Sequence, residues 1–306
     1  MEFYLAWGKN VVMTKYAELQ DPGMRAFLIA GEDFYPADAV SFTMAEQRDF
    51  YNKYCAYFRK PRPAGITVDD FKVGAVPCRR YAPKSPTAKL LYLHGGGFVV
   101  GGLESHDDIC AELADGANVE VTAVAYRLAP EHPFPAAFDD AWAVLNHIGP
   151  CLVAGDSAGG NLSAALCLKS RDLHGPKITA QVLIYPGLDG DSTKGSYITR
   201  AHAPGLTTAD TIYYRNTYAG SPHKYAGPLN ETDFSNLPPA FIVAAGIDPL
   251  HDDATEYAAK LNAASGKAEL RDEPLLIHAY LRARHMSQPA AASFQAIIAA
   301  IKGFAA

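Results

Sequence analysis

From about residue 71 onward, short runs rich in β-branched and other apolar residues alternate with longer segments whose apolar positions recur at helical spacing. The short runs predict strands at residues 71–81 (one or two strands), 89–93, 119–125, 151–154, 178–185, 241–245 and 268–276. The longer ones predict helices. Residues 135–148 place Phe138, Trp142 and Leu145 on one face, and residues 287–304 do the same with Ile297, Ile298, Ile301 and Phe304. Such alternation predicts an α/β fold, a parallel or mixed sheet covered by helices whose apolar faces pack on it. Two stretches break the rhythm. Residues 1–65 carry Met and aromatic residues without a strand period, and residues 189–225 carry Gly, Ser and Thr ahead of a helical pattern at 207–218. Neither holds a repeat or a charged linker. Irregular segments of this length inside a compact domain are usually functional. The expected partition is a catalytic domain from 66–188 and 226–306, with a discontinuous helical cap from 1–65 and 189–225.

Composition narrows the chemistry. The chain has 306 residues, 49% hydrophobic and 20% charged, enough apolar mass for an ordinary core without staples. Twenty-seven basic residues against 33 acidic ones give no positive field for a phosphate backbone, so nucleic acid is not an expected partner. The five cysteines, at 55, 78, 110, 151 and 167, are widely spaced and include no C-x-x-C pair, which predicts buried free thiols. The first Lys comes at position 9, after an apolar stretch, the wrong order for an export signal. No apolar run reaches the length of a membrane span. These features predict a soluble, cytoplasmic protein, with a homo-oligomer left open.

Two glycine-rich segments follow predicted strands. Val153-Ala-Gly-Asp-Ser-Ala-Gly-Gly-Asn161 enters G-x-S-x-G and continues as a predicted helix, the strand, sharp turn and helix of a nucleophile elbow. Gly155 and Gly159 fit a turn too tight for side chains two before and two after Ser157. His94-Gly-Gly-Gly-Phe98 leaves backbone N–H groups unshielded, and Gly96, Gly97 and Ala158 are the candidate oxyanion-hole donors. Phosphate-binding readings fail on the letters: a dinucleotide fingerprint starting at Gly95 finds Val100 at its third glycine, and a phosphate loop starting at Gly155 finds Asn161 where it needs Lys.

A serine near neutral pH needs a base, and the base needs an orienting acid. Asp248, just past the apolar strand predicted at 241–245, is the preferred acid. Asp252 and Asp253 are alternatives that also read as first-turn carboxylates of the next helix. Of the ten histidines, His278 and His285 follow the last predicted strand. His278 is preferred, because His285 sits beside Arg282 and Arg284 in what reads as a basic connector. No H-E-x-x-H or other clustered ligand spacing appears, so neither metal nor cofactor is expected.

With these residues in place, the chain resembles the hormone-sensitive-lipase-like bacterial esterases, a branch of the α/β hydrolases. The matching segments are His94 to Phe98, Tyr126-Arg-Leu-Ala-Pro-Glu-His-Pro-Phe-Pro135, Gly155 to Gly160, Asp248-Pro-Leu250 and His278-Ala-Tyr280, in the family's order. The resemblance implies an eight-stranded mostly parallel sheet, a helical cap and a triad of Ser157, Asp248 and His278. It also implies that Arg127, Glu131 and His132 hold loops near the site. Tyr280 stands where the family usually has Phe. The implied activity is hydrolysis of short-acyl esters through an acyl-enzyme. Removal of acetyl groups from sugars or cleavage of xenobiotic esters is the alternative. A binding-only receptor on this scaffold would lack His278.

Overall fold

The computed structural model describes residues 16–34, 36 and 38–306. Residues 1–15 of the expected cap, Trp7 among them, lie outside the described residues. Apolar runs become strands here because both of their faces are covered: Leu90 to Leu93 of β3 (Lys89–Leu93) and all of β5 (Cys151–Asp156) are buried, as central parallel strands must be. With them stand β4 (Glu120–Val124), β6 (Ile178–Ile184), β7 (Ala240–Ile247) and β8 (Ala268–Ile277). The run at 71–81 resolves into two strands, β1 (Thr67–Val73) and β2 (Val76–Ala82), which pair antiparallel from Val73 opposite Val76 across a Gly74-Ala75 turn. Gly74 takes the positive φ (59°) that such a short turn demands. The eight strands form one sheet in the order β1-β2-β4-β3-β5-β6-β7-β8, antiparallel at β1-β2 and β2-β4 and parallel elsewhere.

Side-chain alternation along the strands divides the core in two. Leu91 and Leu93 face one layer with α4 (Ala136–Ile148), α5 (Ala158–Leu173) and α8 (His251–Ala263). Leu90 and Tyr92 face the other, with α3 (Asp107–Ala117), α9 (Gln288–Phe304) and Met24 and Phe27 of α1 (Pro22–Gly31). The remaining helices, α2 (Met44–Phe58), α6 (Ser196–Thr199) and α7 (Thr208–Tyr218), belong to the two irregular stretches. They meet over the carboxyl edge of the sheet. The Gln47 side-chain amide of α2 donates to the Tyr213 hydroxyl of α7 (3.3 Å), and Arg48 donates to the Val99 carbonyl (3.0 Å) in the loop after β3. The five cysteines are buried and free. Among the described residues, no helix is long and apolar enough to cross a membrane.

Candidate active site

Strand order fixes where the site opens. From β3 the chain crosses to β4 on one side, and from β5 to β6 on the other, so the loops leaving these adjacent strands diverge and leave a crevice at their carboxyl ends. The register sets Leu93 opposite Gly155, which brings the loop beginning at His94 against the turn that carries Ser157. That turn is strained: Ser157 has φ 54° and ψ −116°, a conformation a non-glycine residue adopts only when its surroundings force it. A Cβ on Gly155 would lie 2.6 Å from the Leu93 carbonyl oxygen, and one on Gly159 would run into the same oxygen. The two glycines are thus what lets the elbow pack under β3.

A second register argument places the candidate acid and base. β7 and β8 pair Ala245 with Glu273 but Ile247 with Ile277, so β8 carries two extra residues there. Pro274 cannot donate to the ladder. Gly246 accommodates it, since a Cβ on Gly246 would sit 2.6 Å from the Pro274 Cα. Without that irregularity Asp248 would face Leu276; with it, Asp248 and His278 are neighbours. His278 Nδ1 lies 2.6 Å from Asp248 Oδ2, and His278 Nε2 lies 2.9 Å from Ser157 Oγ. The second carboxylate oxygen of Asp248 accepts the Leu250 N–H (2.9 Å), and the Tyr185 ring packs 4.8 Å from the imidazole. A carboxylate on Nδ1 keeps the proton there and aims the Nε2 lone pair at the serine hydroxyl.

Facing Ser157, Gly96 and Gly97 adopt φ of 127° and 59°. The Gly96 carbonyl turns away from the crevice to accept the Val99 and Val100 N–H groups (both 3.0 Å). Among the described residues, the Gly96 and Gly97 N–H groups have no backbone acceptor. Ala158 opens α5, so its N–H is one of the amides that a helix start leaves without a partner. Tyr126 steadies the loop by donating to the His94 carbonyl (2.6 Å). Arg127 pairs with Asp140 (2.8 Å) and Glu131 with Arg48 (2.6 Å), whereas His132 is exposed and contributes its backbone N–H to Leu128.

The alternatives go elsewhere. His285 Nε2 meets Glu112 (2.9 Å). His251 sits between Asp252 (2.9 Å) and Asp272 (3.3 Å). Asp252 and Asp253 do lie in the first turn of α8, but Asp253 is buried and accepts the Leu188 N–H (2.6 Å), the Gly190 N–H (3.3 Å) and the Tyr197 hydroxyl (3.2 Å). Burial raises its pKa to about 7 against these donors. The basic connector is a misreading: Arg282 and Arg284 are buried, Arg284 against Asp108 (2.5 Å) and Glu112 (2.7 Å). Sequence reasoning also missed Asp156, although it lies inside the serine motif. Burial favours its neutral form, but His106, Tyr92 and Arg282 outweigh burial and hold its pKa below the usual carboxylate range.

At the crevice lies a cavity of about 1210 Å³, whose lining includes Ser157, His278, Gly96 and Gly97 together with Tyr51, Tyr54 and Tyr214. Other aromatics of the two irregular stretches pack on one another: Phe50 on Phe42 (5.2 Å), the exposed Tyr57 on Phe34 (4.5 Å) and Tyr213 against Tyr214 (5.4 Å).

A family model described as the alpha/beta hydrolase fold matches residues 90–282. Over 295 residues the chain is 36% identical to the ethyl acetate hydrolase of Pseudomonas putida, covering 89% of this chain and 86% of that protein. The chain belongs to the hormone-sensitive-lipase-like family of carboxylic ester hydrolases. It is also 39% identical over 248 residues to the esterase LipI of Mycobacterium tuberculosis, covering 73% of this chain and 78% of that one. An ester hydrolase from the metagenome of Lake Arreo, solved with a bipyridine phosphonate derivative, superposes with a TM-score of 0.82 at 31% identity, covering 92% of this chain and 98% of that one. The fold and family expected from the motif order are those found.

Proposed function

We propose that this esterase hydrolyses short-acyl carboxylic esters through an acyl-Ser157 intermediate. The observation that carries the reading is the continuous hydrogen-bonded line from Asp248 through His278 to Ser157 Oγ, at 2.6 and 2.9 Å. In the first half-reaction His278 Nε2 takes the Ser157 proton as Oγ bonds to the ester carbonyl carbon, and the carbonyl π pair moves onto oxygen. The Gly96, Gly97 and Ala158 N–H groups receive that oxyanion, and Asp248 stabilises the imidazolium. The oxyanion collapses, the alkoxide leaves with the proton from His278, and the acyl group stays on Oγ. Water repeats the sequence to release the acid. Support for short acyl chains comes from the aromatic side chains Tyr51, Tyr54 and Tyr214 that share the cavity wall with Ser157, and from the similarity of the chain to a hydrolase named for ethyl acetate. In the same reading the stretches 1–65 and 189–225 act together as a cap on a catalytic domain of 66–188 and 226–306, joined by the Gln47–Tyr213 bond.

The decisive experiment is Ser157→Ala on p-nitrophenyl acetate and butyrate. A folded variant at least about 10⁴-fold slower is expected; near-wild-type turnover overturns the reading. A panel spanning acyl length, acetylated sugars and xenobiotic esters separates the short-acyl reading from the deacetylase one.

A further inference from the structure

Arg282 lies four positions after His278 on the same short turn, and its guanidinium is buried, with 6% of the residue exposed. A buried cation persists only where acceptors and a countercharge hold it. Its Nη1 donates to the Ser105 carbonyl (2.7 Å), and its Nη2 donates to the Tyr51 hydroxyl (2.8 Å) of α2. No carboxylate forms an ion pair with it among the described residues; the nearest negative charge in its network is Asp156, with His106 between. His106 Nε2 stands 3.2 Å from Asp156 Oδ2, and its Nδ1 stands 2.8 Å from the Ser105 hydroxyl, which itself accepts the Gly102 N–H (3.0 Å). Burial and Arg282 lower the His106 pKa, and a neutral ring with its proton on Nε2 donates to Asp156; the Ser105 hydroxyl proton is then shared between Nδ1 and the Gly102 carbonyl (both 2.8 Å), and Arg282 Nη2 stands 3.5 Å from Nε2. Asp156 Oδ1 then accepts the Gly95 N–H (3.0 Å) and the Tyr92 hydroxyl (2.8 Å). Gly95 precedes the two candidate oxyanion glycines, and Asp156 precedes Ser157.

We propose that Arg282 is a positioning residue for ester hydrolysis. Through Ser105, His106 and Asp156 it sets the Gly95 to Gly97 loop against Ser157, and through Tyr51 it makes that setting depend on the seating of α2. The proposal rests on the reading of Ser157 as nucleophile. The loop has little slack, because a Cβ on Gly95 would crowd the Asp156 carboxylate, its γ-carbon at 3.1 Å. A shift of Asp156 is therefore passed to Gly95.

His106 supplies a signature that packing alone would not. It is faced by Asp156 from β5, by Arg282 from the turn after β8, by Tyr92 (6.1 Å) and His94 (5.7 Å) from β3 and the loop that follows, and by Asp108 from α3. Burial and then Arg282 oppose its protonation, while Asp156 favours it. His94 is itself neutral, its pKa pushed down to about 3 by burial and His106. Removing Arg282 removes one of the two influences that oppose protonation of His106, so the His106 pKa should rise.

Arg282→Met is expected to lower kcat about tenfold, with KM within about twofold, and to weaken binding of a trifluoromethyl ketone, whose adduct carries the oxyanion, by the same factor. Its kcat-pH profile should gain an ionisation that tracks the His106 imidazole resonance, and Arg282→Lys should recover part of kcat. Tyr51→Phe keeps the ring and removes the hydroxyl; a loss in kcat of about two- to threefold with unchanged KM is expected. Wild-type kcat and ketone affinity in a folded Tyr51→Phe or Arg282→Met variant overturn the proposal, as does a loss confined to KM. Should Ser157→Ala stay active, the nucleophile reading fails; should it be inactive while these variants behave as wild type, the positioning role alone fails.

Discussion

The helices that back the sheet and the helices that stand over its carboxyl edge are specified by different physics. α3, α4, α5 and α8 begin without any side-chain cap, and α5 buries twelve of its sixteen residues. α2 and α7 bury few residues yet each opens with a full capping box, Thr43 with Glu46 and Thr207 with Asp210. α1 and α9 are the exceptions among the helices packed against the sheet, capped by Asp21 and Ser287. Helices with a sheet to pack on take most of their definition from burial; α2 and α7 carry their own start signals, while the single turn α6 has none. Ser157 shows the cost of function, since it occupies the N-cap position of α5 but its hydroxyl is directed to His278 instead of the helix amides.

Breaking the floor should have the largest effects. Gly159→Ala forces a Cβ into the Leu93 carbonyl at the tightest point of the elbow. Backbone cannot yield there without shifting β3, so the variant is expected to be insoluble or unfolded, as read by circular dichroism and gel filtration; a folded, active Gly159→Ala would refute the close-packing account of the elbow. Next comes the base. His278→Ala should cost about 10⁴-fold in kcat/KM, whereas His285→Ala should stay within about threefold, because His285 faces Glu112 and not Ser157. If the pattern is reversed, the assignment of His278 is wrong.

The two regions also differ in how far they could be read from the letters. Runs at 89–93 and 178–185 become β3 and β6 with little change, because a buried parallel strand is written in continuous apolar residues. The elbow was legible for a related reason: its glycines are required by backbone collisions within a few residues of Ser157. Asp248 and His278 were legible as residues just past strand ends, although their alignment depends on an irregularity at Pro274 that composition alone does not predict. α2 was missed. Its apolar positions have no clean period because it rests on loops instead of the sheet, and Thr43-x-x-Glu46 was the available signal. Arg282, His106 and Asp253 were misread or overlooked because charged and polar residues default to the surface. Their burial is decided by partners 50 to 177 positions away in sequence.

A carboxylate at the junction of the regions provides a pH-dependent test. Asp253 ties the start of the 189–225 stretch to α8 through Leu188, Gly190 and Tyr197. Its pKa is raised from 3.8 to about 7, by burial first. The folded state therefore binds a proton that the unfolded state has released between these values. Its contribution to stability is fully present below pH 3.8 and is lost as pH rises through 7, a change on the order of a few kcal/mol. Asp253→Asn removes the ionisation. Measured by urea unfolding, the stability of the variant relative to wild type should increase as pH goes from 4 to 7 and level off above. Parallel curves for the two proteins would contradict the raised pKa.

The smallest expected effect tests whether the roof helices depend on their own caps. Thr207 Oγ1 accepts the Asp210 N–H (3.1 Å), and the Asp210 carboxylate accepts the Thr207 N–H (2.9 Å). Of the residues in α7, Tyr218 is the buried one, so little packing compensates for a lost cap. Thr207→Ala should cost about 1 kcal/mol, concentrated in faster amide exchange over residues 208–218, with β3 and β5 protected as in wild type. Because Thr207 and Tyr214 both line the cavity, a frayed α7 should raise KM for butyrate more than for acetate while kcat changes little. Uniformly faster exchange across the sheet would mean that roof and floor unfold as one unit, and that the capping boxes do not give the roof an independent stability.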